Sequence, residues 1–188
     1  MAGRLGAYCW TEQLLFGLLG GWVPEVPEID VKLALAEHAD HAAWRAQRWY
    51  ELLPTAAPGP DALVAAPDGL EDLKARIAAV ADGPDRTVEK LTVTYRILLP
   101  RLAAALDAHR SWAATVSGPA VLRLLGVAAS DLATDWVAGE RLLQTLVSGL
   151  PELERCHVAQ AVLEAPVAAA GGLVGALSAG DRPLGGGA

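Results

Sequence analysis

The sequence predicts an all-α protein, and three observations carry that expectation. Of its 188 residues 53% are hydrophobic and only one is Phe; Ala and Leu dominate and β-branched runs are few, which favours packed helices over sheet. Apolar residues recur at three- and four-residue steps through four long stretches, the period of a half-buried helix. Clusters of Pro and Gly separate those stretches, where helices stop.

Helix one is expected over about 3–22, with Leu5, Tyr8, Glu12, Leu15, Leu19 and Trp22 on one stripe. Gly20 and Gly21, then Pro24 and Pro27, end it in a tight connection. Helix two follows over about 28–53, where Leu35, His38, Ala42, Trp49 and Leu52 face inward and Pro54 ends the run. The next connection, broken by Pro58, Pro60, Pro67 and Gly69, is too long for a hairpin and reads as a crossover, with a short helix over 70–82. Helix three, about 85–115, carries Val88, Leu91, Tyr95, Leu98, Leu102, Ala105, His109 and Trp112 on its stripe; Pro100 lies inside it and should kink or split it. Helix four is expected over about 120–148, with Asp135 and Gly139 interrupting an apolar line of Val121, Leu125, Ala128, Leu132 and Leu142. An extra helical segment over about 151–177 completes a single domain spanning 1–179, and the Gly-rich residues 180–188 read as a flexible tail.

Composition bounds the partners. A net charge of −7 with scattered basic residues argues against a nucleic-acid surface. The apolar run 14–21 is too short to span a membrane and is preceded by Glu12 and Gln13. Cys9 and Cys156 form no CxxC and read as reduced, buried thiols. A cytoplasmic protein is the expectation, with the apolar stretch from Val158 to Leu177 offering a homodimer surface.

The chemistry lies where polar residues interrupt apolar stripes. Glu12 stands ten residues before the end of helix one, and His38 ten residues after the start of helix two; in an antiparallel pair each would sit about 15 Å from the shared turn. A crossover that returns helix three beside the start of helix two brings Tyr95 to that level, and Asp135 on helix four falls one turn away. Glu37, His41 and Asp131 flank the layer. A carboxylate buried without a partner is costly, so each of these groups needs either a site or a counter-charge, such as one of the many arginines. Trp44 and Trp136, near the layer, read most simply as core and interface residues, with the wall of a substrate pocket as the alternative. His109, roughly 21 Å from Tyr95 along the helix, reads as structural.

In helix order, in the long crossover and in this polar layer, the chain resembles the ferritin-like four-helix-bundle proteins. That family takes one carboxylate from each of two helices and a Glu-x-x-His pair from each of the other two, and holds two iron or manganese ions. The resemblance implies a ferritin-like bundle binding one or two ions of iron or manganese. Glu12, Glu37, His41, Asp131 and Asp135 would be ligands, with His38 and Tyr95 in catalytic roles, in an oxidoreductase acting on a small molecule. The segment from Tyr95 to Arg101 and the residues Asp135, Trp136, Gly139 and Glu140 resemble a little-described bacterial branch of that superfamily. The chain departs from the family pattern: helix three offers a phenol where a carboxylate is usual, and no His stands near Asp131 and Asp135. Two alternatives therefore stand beside the metal reading. One is a metal-free enzyme doing acid–base chemistry with buried Glu, His and Asp; the other is a non-catalytic interaction bundle whose polar layer fixes register.

Overall fold

The computed structural model describes residues 1–116 and 118–175, with helix as their only regular secondary structure. Helix α1 (Ala2–Trp22) and helix α2 (Ile29–Glu51) form an antiparallel pair. Cys9 meets the Ala46 carbonyl, and Lys32 Nζ caps the far end on the carbonyl of Val23 at 3.1 Å. The pairing is offset by more than a turn from the one expected, because residues 23–28 turn over the end of α1 and let α2 overhang it. Ten residues into α2, His38 therefore lies short of Glu12, and the side chain level with Glu12 is Arg45.

The crossover contains short helices α3 (Pro60–Leu63) and α4 (Leu73–Ala81). Helix α4 forms as its periodicity predicts, burying Leu73, Ile77 and Ala81 at four-residue steps. Gly6 in α1 runs so close to α3 that a Cβ there would stand 1.9 Å from the Leu63 carbonyl oxygen. Gly83, at φ +99°, turns the chain after α4, and a 3₁₀ turn (Pro84–Arg86) leads into the third long helical run. That run begins beside the start of α2, where the Thr87 hydroxyl donates to Glu28 Oε2 at 2.9 Å. The crossover thus makes the third run parallel to α2.

The third run is α5 (Thr87–Thr92), a π-helical segment (Val93–Leu98) and α6 (Leu99–Val116). The break expected at Pro100 is this π segment. Proline has no N–H to offer residue 96 and its ring crowds that carbonyl, so the preceding turn widens and the Leu99 N–H reaches back to the Thr94 carbonyl. Helix α7 (Pro119–Leu146) returns antiparallel to it, and helix α8 (Leu150–Ala169) packs on α5 and the π segment. There the Thr92 hydroxyl donates to Cys156 Sγ and Arg155 pairs with Glu89.

The extra segment expected as helix over 151–177 ends sooner. Helix α8 passes Pro166 and stops at Ala169; Gly171 and Gly172, both at positive φ, then fold Leu173 and Val174 into the core. The Thr11 hydroxyl lies 2.8 Å from the Ala7 carbonyl oxygen and 3.0 Å from that of Leu173, tying this turn to α1. The tail expected over 180–188 lies outside the described residues. Cys9 and Cys156 are free and buried. Among the described residues no helix is long and apolar enough to cross a membrane. On the stretch expected as a dimer surface, Val158 and Val162 are exposed.

Candidate functional site

A stripe of inward positions on α2, at alternating three- and four-residue steps, delivers His38, Ala42, Arg45 and Trp49 to the centre of the bundle. Glu12 comes from α1, Tyr95 from the π segment and Asp135 from α7, all buried. Arg45 is the hub. Its Nε donates to Glu12 Oε1 at 2.8 Å and its Nη1 to Asp135 Oδ2 at 3.2 Å. The other oxygen of Asp135 accepts from His41 Nδ1 at 2.8 Å and lies 3.7 Å from His38 Nε2. His38 Nδ1 and the Tyr95 hydroxyl are 2.7 Å apart. The neighbouring carboxylate favours the His38 proton on Nε2, so Tyr95 donates to Nδ1.

The electrostatics follow from burial. Burial alone would pull the Arg45 guanidinium down, but the Glu12 and Asp135 carboxylates outweigh it and hold Arg45 above its ordinary value. Glu12 is pushed up, chiefly by burial and further by Asp135 and Asp131, against the pull of Arg45. Its Oε2 is buried with no hydrogen-bond partner. Burial also drives His38 down, with Asp135 opposing it, so its imidazole is neutral. Tyr95 is raised by burial and by Asp135 and stays protonated. The cluster sets two carboxyl groups against one guanidinium.

The structure brings Glu12, His38, His41, Tyr95 and Asp135 together. Glu37 faces solvent, and Asp131 is half-buried with no hydrogen bond or ion pair to the cluster. The donor set does not fit the expected iron or manganese. A guanidinium stands between the two carboxylates where an ion would have to sit, and His38 gives one nitrogen to Tyr95. Among the described residues no group of three or more His, Cys, Asp or Glu is placed to hold a metal ion.

Sequence reasoning missed Arg45, although the signal was present. It lies three residues after Ala42 and four before Trp49, on the same stripe. His109 is structural, as read: buried, 3.3 Å from the Tyr8 hydroxyl, with Tyr8 stacked in turn on Trp49.

Two openings flank the cluster. Trp44, one helical turn from His41, walls one end of a 380 Å³ groove between α2 and α7 that runs on to Leu52 and Ala120. Trp136 walls a larger cleft of 720 Å³ whose floor is Tyr95. Tyr95 itself is fully covered because its ring occupies the space a side chain at Gly139 would need; a Cβ there would lie 2.1 Å from the ring. Comparison with protein-family models, with curated proteins and with solved structures finds no match to this chain.

Proposed function

We propose that the interior cluster handles protons without a metal and that His41 is its working group, a general acid–base toward a small molecule at the α2–α7 face. One observation carries this reading: buried Asp135 holds Nδ1 of a histidine whose side chain is 37% exposed. No described residue bonds its Nε2. Nε2 is therefore free to take a proton from a substrate or a water while Asp135 stabilises the imidazolium that forms. Arg45 holds the other oxygen of Asp135 in place, so the carboxylate is positioned to orient the ring. His38 and Tyr95, nominated as catalytic, are spent on each other and act as supports to Asp135. The helix order and the parallel placing of α2 and α5 support a ferritin-like arrangement in which an arginine takes the place of the ions.

The test is turnover by chelator-treated protein of a panel of activated carboxylic esters and carbon acids. At least one substrate is expected whose rate falls about 100-fold or more in both His41→Gln and Asp135→Asn. Turnover equal in wild type and variants across the panel overturns the acid–base role, and turnover restored only by added iron or manganese overturns the metal-free reading. A second reading rests on the Arg45 bridge: the Glu12–Arg45–Asp135 set fixes how the helices register, as buried ionic groups do in some proteins. It predicts changes in folding alone when Glu12 is replaced.

A further inference from the structure

We propose that the cleft over Tyr95 binds a small organic acid, an apolar body bearing one carboxylate. This goes beyond the acid–base reading of His41 and rests on a different face of the molecule. The cleft lies among the π segment, α7 and α8, and its 720 Å³ falls within the roughly 300–1,000 Å³ of small-molecule sites. Beneath the cleft the fully covered Tyr95 ring fills the space that a side chain at Gly139 would need, packing the π segment against α7. π-helical turns of this kind recur at functional sites.

Two features name the occupant. Trp136 and Val137, 38% and 51% exposed, form an apolar wall with no protein covering it. The charges then set the sign. Arg96 and Glu140 cancel in a pair held by three hydrogen bonds, the shortest 2.8 Å. Arg141, on the same rim, has no ion-pair partner among the described residues. The rim is therefore net positive on a chain of net charge −7. A carboxylate seats on Arg141 with its apolar body on Trp136, and Gln144 and Gln160 line the remaining rim with neutral amides. The Tyr95 hydroxyl points away, to His38, so ligand binding here needs no proton transfer.

Isothermal titration of the whole chain with 1-naphthoate, and separately with 1-naphthylmethylammonium, tests the proposal. Saturable binding of one naphthoate per chain is expected, with the cation about tenfold weaker or worse. Arg141→Glu should weaken naphthoate by about tenfold or more. Arg123→Glu, a like charge reversal on α7 that lines the other groove, should leave it within about twofold. Both arginines are exposed, so the variants are expected to unfold at the wild-type urea midpoint. No saturation in the wild type, equal binding of acid and cation, or naphthoate binding unchanged in Arg141→Glu overturns the proposal. His41→Gln is expected to bind naphthoate as the wild type does, so the two sites can fail independently.

Discussion

At the scale of single residues, the cluster is defined by which groups have spare bonding capacity and which do not. Arg45 serves two carboxylates in a buried setting, through Nε to Glu12 and Nη1 to Asp135. Arg45→Met should cost roughly 3–5 kcal/mol in urea unfolding, because two carboxylates are left buried without their cation. Glu12→Leu should be far milder, as it removes a carboxylate that burial already penalises along with an oxygen that has no donor. His38 makes a pH prediction. Its folded value is depressed, so the unfolded chain takes up a proton first and stability is lost as pH falls from about 6.5 through the depressed value. Unfolding free energy should drop by up to about 1.4 kcal/mol per pH unit across that window, and His38→Gln should flatten this limb. The layer of Glu12, His38, Tyr95 and Asp135 was legible in the sequence because each interrupts an apolar stripe. Arg45 was not read, because a long cationic side chain near the surface-facing Trp44 and Arg48 looks solvated unless its place on the stripe is counted.

At the scale of elements, two glycines decide how closely helices approach. Gly139→Ala must push the Tyr95 ring aside, and a loss of about 1–3 kcal/mol is expected from overpacking. It should also disturb the Tyr95–His38 bond, visible as a shifted His38 imidazole signal by NMR. Helix existence and order could be read from periodicity, and α4 even within the crossover. Offsets could not. The overhang of α2 past α1 arises from the backbone path of residues 23–28, and no hydrophobic pattern encodes it, so Glu12 was paired with His38 when its true neighbour is Arg45. The widened turn before Pro100 is equally local: the proline signals a disturbance in the sequence, and in the structure that disturbance is a π turn.

At the scale of the whole molecule, Leu173 and Val174, just after α8, are part of the core. Leu173 is fully buried, and its carbonyl lies against Thr11 on the first helix. A chain ended after Ala169 should lose at least the roughly 1.5–3 kcal/mol of one fully buried Leu, measured by urea midpoint. The apolar character of this segment was plain in the sequence, whereas its turn was not, since Gly171 and Gly172 read as punctuation and not as the hinge that folds it back. The parallel course of α2 and α5 has a further consequence, for synthesis. Chains fold as units as they leave the ribosome, earlier parts first, and α1 with α2 can pair early around Glu12 and Arg45. Asp135 is made some ninety residues after Arg45. Until it emerges, both histidines of α2 lack the carboxylate that faces them, and the face that will receive α7 stays open. The nascent chain therefore carries a half-finished, polar-lined seam while some ninety of its 188 residues are added.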